Sequence, residues 1–392
     1  MLASSEEETL MEEKEAQMVS ISDTKPSLRI AHFLKPLFPS SKNTQTQILF
    51  THPSISHPSK PIFPIVKTLS SKVFFHVWKH PLKYWNSWVE KLRPSFESTW
   101  KKCSVFEAIM GSTLEIPKCK ASIFALAEKW CSETNTFVLP WGEITITLED
   151  IMVLGGFSVT GDCFGYLPAE DCSTMNKSVF QIAVNLARDT KFGLAPAILA
   201  SIYRDLRLLK EKITTLRDLG DQNDVNVLKL ALWAPLYLLQ VWIWERFPAL
   251  SPRINHISNG LCRIKKWHKT KILRNDDEGL PINFASHDFR WRPYSNTSFN
   301  HDLESYCRFI RVCDLVGLYC IEQYLPHRVA RQFGFDQDIL IAFRHVRDTP
   351  KIGWMNYIRP VSDTKLYRPP RQFEPGVTID YMKWWEKKGV WQ

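Results

Sequence analysis

The clearest hydrophobic pattern in the chain is a helical stripe over residues 197–219. Its apolar members lie four, four, three, four and three residues apart, at Ile198, Ile202, Leu206, Leu209, Ile213 and Leu216. This spacing repeats once per helical turn, so it predicts an amphipathic α-helix that buries one face. The next apolar run, residues 230–244, has no polar face, which predicts a buried central helix that Pro235 starts or kinks.

Two further helices are predicted on either side of these segments. Apolar residues recur at helical spacing in KASIFALAEKW, residues 120–130, and in LESYCRFIRVCDLVGLYCIEQY, residues 303–324, which ends before Pro326. In the second segment, Cys307, Cys313 and Cys320 are six and seven residues apart, so the last two are expected on one helix face.

A β-hairpin followed by a short helix is predicted over residues 134–156. Two β-rich runs flank a turn at Pro140, Trp141, Gly142 and Glu143, where proline suits the second turn position and glycine the last. Thr147 and Asp150 then have the spacing of a helix capping box, and the pair Gly155 and Gly156 can end that helix in a left-handed turn. We interpret the four turn residues as structural.

The amino-terminal region lacks such periodicity. Residues 1–24 hold seven acidic residues against one lysine, and residues 25–72 are rich in proline, serine and threonine. These compositions predict an acidic disordered tail over 1–24 and a flexible leader over 25–72. One large domain is predicted over 73–392, mainly α with small β elements (α+β) and containing the short hairpin.

Composition limits the class of protein without stating its function. The chain has 392 residues, 44% of them apolar, and 50 basic against 41 acidic residues give a net charge of +9. The longest apolar run is 15 residues, short of the ~20 of a membrane span. Nine cysteines without any C-x-x-C and no recognisable export signal predict reduced thiols and a nuclear or cytosolic protein without a membrane partner.

Two basic clusters are the candidate binding surfaces. The first is uninterrupted by acids and surrounds an aromatic pair, Trp267 and His268; its cations are Arg253, Arg263, Lys265, Lys266, Lys269, Lys271 and Arg274. Basic side chains can neutralise phosphates while an aromatic ring stacks on a base, so this cluster predicts nucleic-acid contact; a solvated loop with Trp267 in the core is the alternative. The second is Arg328 and Arg331, on a helix that Pro326 opens and Gly334 ends, where phosphate contact and pairing to acids of the domain are both consistent with the pattern.

Several long segments resemble the plant mobile domain family, also labelled "aminotransferase-like, plant mobile domain", which includes the Maintenance of Meristems-like proteins. The segments are WVEKLRPSFESTWK (88–101), FEAIMGS (106–112), AEKWCSETNTFVLPWGEITITLEDIMVLGGFSV (127–159), LWAPLYLLQVWIWERFPAL (232–250) and YLPHRVARQFGFDQDI (324–339). The resemblance covers about residues 75–385. It implies a transposon-related, nuclear, non-catalytic interaction module in transposon silencing, genome stability or meristem maintenance.

The residues themselves supply no enzymatic set. A pyridoxal phosphate enzyme needs a Schiff-base lysine, a carboxylate for the pyridinium nitrogen and a phosphate cradle, none of which can be assigned, so no cofactor and no metal are expected. Some longer relatives of this family carry a Ser/Thr phosphatase domain, of whose motifs only Gly220-Asp221 and Asp224 echo a part. The partners expected are nucleic acid or chromatin, a Ser/Thr phosphatase, or another mobile-domain protein. The alternatives are an accessory phosphatase subunit or a transposon-derived, degenerate nuclease, whose candidate acids are Asp276, Asp277, Glu278, Asp288, Asp302 and Glu304.

Overall fold

The computed structural model describes most of the chain, and every structural statement below concerns that part. The described residues are 10–20, 25–36, 47–49, 69–78, 81, 83–162, 184, 186–219, 229–254, 263–272, 284–294, 302–339, 342–344, 349–360, 367–370 and 372–386. The helices are α1 Trp85–Lys102, α2 Phe106–Ser112, α3 Lys120–Ala127, α4 Leu148–Gly155, α5 Leu194–Leu219, α6 Tyr237–Arg246, α7 Leu303–Ile310, α8 Pro350–Ile358 and α9 Ile379–Glu386. Short 3₁₀ helices cover Pro248–Leu250, Arg263–Trp267, Ser286–Asp288 and Pro326–Phe333.

The strands are short and form five small sheets. They are β1 Met11–Val19, β2 Ser27–Leu34, β3 Gln47–Leu49, β4 Val73–Phe75, β5 Trp130–Cys131, β6 Thr136–Leu139, β7 Gly142–Ile144, β8 Leu230–Leu232, β9 Cys313–Val316, β10 Ile321–Tyr324, β11 Ala342–Arg344 and β12 Val377–Thr378. Antiparallel pairing gives β12-β1-β2, β5-β6-β7, β9-β10 and β3-β11, whereas β4 and β8 are parallel. The mainly α class with small β elements is confirmed.

The core is built around α6, which forms only the second part of the central helix predicted over 230–244, because residues 230–232 form β8 instead. All ten of its residues are buried, and Pro235 lies just before its first turn. α3 and α4 each contact both α5 and α6, and the apolar stripe of α5 faces this group, with Ile202, Leu206 and Leu209 fully buried. The predicted stripe therefore identifies the packed face of α5 correctly.

The local motifs at residues 136–156 are also confirmed. β6 and β7 pair through Leu139 and Gly142, which leaves Pro140 and Trp141 as the turn. Thr147 and Asp150 form a capping box at the start of α4, and Gly156 ends that helix at φ +70°. These features depend on neighbours in the sequence, which is why the pattern predicts them.

Residues 10–20 and 25–36 contain strands, which differs from the disordered tail predicted over 1–24 and the flexible leader predicted over 25–72; most of the other residues before 69 lie outside the described ones. β1 and β2 pair over eight residues each, and β12 adds to β1. The hairpin is held to residues 336–338 by charges: Arg29 donates to both carboxylate oxygens of Asp336 at 2.8 and 2.6 Å, and Lys14 binds Asp338 at 2.6 Å. Asp336 and Asp338 lie about three hundred residues away in the chain, so the composition of the segment alone predicts that it is solvated.

The helix predicted over 303–324 is wrong beyond its first third. α7 ends at Ile310, and the rest forms the β9–β10 hairpin, in which the Gly317 amide donates to the Cys320 carbonyl at 2.8 Å. Both faces of β9 are buried, so its residues lack the alternation that would have identified a strand. Cys313 and Cys320 consequently do not share a helix face, and the six cysteines in the described residues are all buried.

The structure also bears on the membrane prediction. Within the described residues, no helix combines the length and the apolar character needed to cross a bilayer.

Candidate functional site

The first basic cluster folds around Glu245, a buried acid in the last turn of α6. The 3₁₀ helix Arg263–Trp267 lies against this turn, and three of its side chains converge on the Glu245 carboxylate. Arg263 donates from Nε at 3.1 Å and from Nη2 at 2.9 Å, Trp267 donates from Nε1 at 3.0 Å, and Lys266 forms a short ion pair. Three of the eight predicted contact residues therefore belong to an internal network.

Two cations, Arg263 and Lys266, share one carboxylate in this network. Burial alone would raise the pKa of Glu245, but the charges of Arg263 and Lys266 lower it below its ordinary value. Burial lowers the pKa of Lys266, against the opposing attraction of Glu245. Arg263 and Lys266 could each neutralise a bound phosphate only by giving up the ion pair with Glu245.

Trp267 does not occupy the position that base stacking requires. Its side chain is 1% exposed and packs against Trp244, with 5.2 Å between the ring centroids. The alternative stated for the sequence, Trp267 anchored in the core, is the arrangement found. The aromatic component of the predicted nucleic-acid surface is thus absent from this loop.

The remaining cations of the cluster are exposed. Lys265, Lys269 and Lys271 project from residues 265–271, and Arg253 is exposed just after α6, while Arg274 lies outside the described residues. The loop is anchored to Glu115 twice: the Lys269 amide donates to its carbonyl, and its own amide donates to His268 Nδ1, both at 2.9 Å. Burial lowers the pKa of His268, which favours the neutral ring that can accept this hydrogen bond.

The second predicted basic surface, Arg328 and Arg331, is not a surface. All eight residues of the 3₁₀ helix Pro326–Phe333 are buried. Arg328 binds Glu143 through two hydrogen bonds, one of them 2.8 Å from Nε to Oε2, and both side chains are 0% exposed. Arg331 stacks on Trp291 with its guanidinium 3.7 Å from the ring centroid, and burial lowers its pKa to about 10. Of the two alternatives for these arginines, internal pairing is the one that Arg328 adopts.

The turn residues 140–143 act structurally, as predicted. The Pro140 carbonyl accepts from Trp385 Nε1, and Trp141 Nε1 donates to the Phe284 carbonyl, both at 2.8 Å. Glu143 accepts from the Thr136 hydroxyl at 2.8 Å in addition to Arg328. The turn thereby ties the β6–β7 hairpin to the carboxyl-terminal helix and to the 3₁₀ helix at 326–333.

A third buried network, which the sequence analysis missed, is centred on Asp150. One carboxylate oxygen completes the capping box with Thr147, and the other accepts from Arg246 at 2.9 Å and from Tyr294 at 2.7 Å. Tyr294 also lies under the Arg263 guanidinium, 5.0 Å from ring centroid to Cζ, and so joins this network to the one at Glu245. In the sequence, the signal for this network was the adjacent pair Glu245 and Arg246, two charged residues at the end of a mostly apolar helix.

The candidate acids of a nuclease have structural duties wherever the structure describes them. Asp288 accepts from the Ala249 amide, Asp302 caps α7, and Glu304 pairs with Arg308. The candidates Asp276, Asp277 and Glu278 and the phosphatase-like residues 220–224 lie outside the described residues. Across the described ranges, no group of three or more His, Cys, Asp or Glu side chains is arranged to hold a metal ion.

Comparison with known proteins finds one family model and several relatives that are similar to this chain. The family model described as "Plant mobile domain" matches residues 104–165 and 163–386. "Serine/threonine-protein phosphatase 7 long form homolog" of Arabidopsis thaliana is 26% identical, with 56% of this chain and 22% of that protein aligned. "Protein MAIN-LIKE 1" and "Protein MAINTENANCE OF MERISTEMS", also from Arabidopsis thaliana, are 52% and 51% identical over segments covering 10% of this chain and 8% of each relative.

These relatives are much longer than the region they share with this chain. The alignments cover 22% or less of each of the three proteins. The comparison with solved structures gave no significant match.

Proposed function

The chain belongs to the plant mobile domain family, a transposon-related plant family, and from this premise we propose that it is a non-catalytic interaction module that binds nucleic acid in the nucleus. The binding surface is the exposed lysine loop, defined as Lys265, Lys269 and Lys271. The setting is transposon silencing, genome stability or meristem maintenance, in keeping with the name of one relative, "Protein MAINTENANCE OF MERISTEMS".

One observation carries this proposal: the chain binds its buried acids internally and leaves a cationic loop in solvent. Glu143, Asp150 and Glu245 are buried and each is bound by an arginine, so these acids are committed to holding the fold. The three lysines of the exposed lysine loop remain in solvent on a backbone fixed at Glu115. Closely spaced exposed cations gain free energy from a polyanion through counterion release, and need no cavity to do so.

The test is the binding of the full chain to labelled DNA and RNA, measured by fluorescence anisotropy over a salt series. The variant Lys265→Ala/Lys269→Ala/Lys271→Ala is compared with Lys91→Ala/Lys351→Ala/Lys383→Ala, a control with the same change in net charge at exposed lysines on α1, α8 and α9. We expect the log–log salt slope for duplex DNA to fall by about 3 in the loop variant, at ~0.9 per lost phosphate contact, and to stay unchanged in the control. No binding at low salt, or an equal loss in both variants, would overturn the proposal.

The nuclear setting has its own measurement. A fluorescent fusion of the full chain should accumulate in plant nuclei, and exclusion from nuclei would contradict this part of the proposal.

A second candidate function is partnership with a Ser/Thr phosphatase. Its support is the relative named as a phosphatase homolog, which aligns with 56% of this chain but with 22% of its own length, so most of that protein lies outside the shared region. Titration calorimetry of the full chain with the purified relative's phosphatase region tests this partnership. Saturable heat with a defined stoichiometry supports it, and no heat at micromolar concentrations refutes it.

A further inference from the structure

The two-stranded parallel ribbon β4–β8 has one face in the core and one in solvent. Val73 and Leu232 are buried, and Phe75 packs against Trp78 and Phe124. On the opposite face, Phe74 is 43% and Trp233 is 46% exposed, and His76 is exposed beside them. The alternation along β4 therefore places aromatic side chains outward at every second position.

This exposure is unusual for the pairing type. Parallel strands are normally covered on both faces, because the connections between them pack there. Among the described residues, nothing covers the aromatic face of this ribbon, which we name the β4–β8 face and define as Phe74, His76 and Trp233. We therefore expect a binding partner that can pack against aromatic rings to cover this face.

Two aromatic rings of the β4–β8 face already contact each other. The rings of His76 and Trp233 are stacked, with centroids 4.2 Å apart and planes inclined by 8°. Ala231 lies next to Phe74 in the ribbon register, and its small side chain leaves the Phe74 ring accessible. An ordered aromatic surface suits the faces of unpaired bases, which stack on such rings whatever their sequence.

Lysines border one end of this face. Lys72 and Lys229 directly precede the paired residues Val73 and Leu230, and the Lys229 ammonium lies 5.7 Å from the centroid of the Phe74 ring. Burial lowers the pKa of Lys212 of α5, and the charge of the nearby Lys72 lowers it further, because the two cations repel each other. Phosphate groups would relieve this repulsion, and an apolar protein surface would not.

We propose that the β4–β8 face binds single-stranded nucleic acid, with bases stacked on Trp233 and Phe74 and the backbone phosphates held by Lys72, Lys212 and Lys229. Duplex bases are already stacked on each other, so the aromatic rings select the single strand. The inference rests on the proposed function for its ligand class, and it adds a second site and the strandedness.

The two sites are connected through residues 115–118. The Glu115 carbonyl accepts from the Lys269 amide of the exposed lysine loop, and the next carbonyl, of Ile116, accepts from Trp78 Nε1 at 3.0 Å, just beyond β4. Lys118 lies over the Trp78 ring at 5.3 Å. The β4–β8 face supplies the exposed aromatic rings that the lysine loop lacks.

The experiment measures the affinity of the full chain for a labelled 12-nucleotide oligo(dT) and for a hairpin duplex at one salt concentration. Trp233→Ala and Phe74→Ala are compared with Trp233→Phe, which retains a stacking ring. Trp88→Ala is the matched control, because Trp88 is also exposed, at 52%, and also stacks on a neighbour, Trp85. Circular dichroism and thermal melting verify that each variant is folded.

We expect Trp233→Ala and Phe74→Ala each to weaken oligo(dT) binding roughly ten-fold, the size of one lost base–aromatic stack, and to change duplex binding less than two-fold. Trp233→Phe and Trp88→Ala should bind as the wild type does. Equal losses for both ligands, or unchanged oligo(dT) binding by Trp233→Ala, would overturn the inference.

The lysine-loop variant separates this inference from the proposed function. If the loop variant binds nucleic acid more weakly and Trp233→Ala binds oligo(dT) as the wild type does, the proposed function stands and the inference fails. If Trp233→Ala loses oligo(dT) affinity and the loop variant does not, the β4–β8 face is confirmed and the loop is not the binding surface. If the wild type binds neither ligand at low salt, both fail.

Discussion

The buried ion pair between Glu143 and Arg328 yields the sharpest stability prediction. Both side chains are 0% exposed, and the two groups are joined by two hydrogen bonds. In Glu143→Gln the guanidinium stays in the interior without its carboxylate, and arginine cannot shed its charge by losing a proton. We expect the free energy of unfolding to fall by about 3–5 kcal/mol, the usual cost of breaking a buried pair from one side.

The reverse change strands the carboxylate. Arg328→Met removes both hydrogen bonds that the guanidinium donates to Glu143, and at neutral pH we expect a loss of about 3 kcal/mol or more.

The double variant Glu143→Gln/Arg328→Met completes the cycle. It leaves no unpaired charge, and the Thr136 hydroxyl keeps its contact with the Thr134 hydroxyl at 2.7 Å. The double variant should therefore be more stable than either single charge-stranding variant, with a coupling energy of about 2 kcal/mol or more.

Urea unfolding at 25 °C, followed by tryptophan fluorescence and circular dichroism, measures these free energies. If Arg328 were the surface cation that the sequence pattern allows, Arg328→Met would stay within about 0.5 kcal/mol of the wild type. That result, or strictly additive effects in the cycle, would refute the reasoning.

Two further predictions concern other parts of the fold. Gly156→Ala should destabilise the chain by about 1–3 kcal/mol in the same unfolding assay, because residue 156 has φ +70° and a Cβ would lie 2.4 Å from Glu107 Cβ; unchanged stability would mean that the turn after α4 is differently built. Glu245 has a folded pKa below its ordinary 4.5, so its contribution is complete above pH 4.5 and is lost as the pH falls through the folded value. Unfolding free energies from pH 6 to 3 should therefore fall less steeply in Glu245→Gln than in the wild type, and parallel curves would contradict the placement of Glu245.

Much of the fold could be predicted because its signals are local. The stripe on α5, the turn at Pro140 and Trp141 and the capping box of α4 each depend on residues within a few turns of one another. The hairpin β1–β2 and the hairpin β9–β10 escaped prediction, since the first is held by distant charges and strand β9 of the second is buried on both faces.

The candidate site divides in the same way. Its residue types could be read from the sequence, and so could the basic segment at 263–271. Which cations reach solvent could not, because Arg263 and Lys266 are withdrawn by Glu245, whereas Lys265 and Lys269 point outward from the same segment. The aromatic rings beside exposed lysines were found at Phe74 and Trp233, which are 159 positions apart in the chain and neighbours only through β4 and β8.

The sequence by itself determined the helical class, the packed face of α5, the buried character of α6 and membership of the plant mobile domain family. The tertiary structure alone decided that Arg328 and Trp267 are interior residues and that Phe74 and Trp233 are exterior ones. The physical reason is that hydrophobic periodicity depends on near neighbours, whereas the burial of a charge depends on one partner anywhere in the chain. For Arg328 that partner is Glu143, 185 positions away, and its carboxylate makes the interior tolerable for a guanidinium.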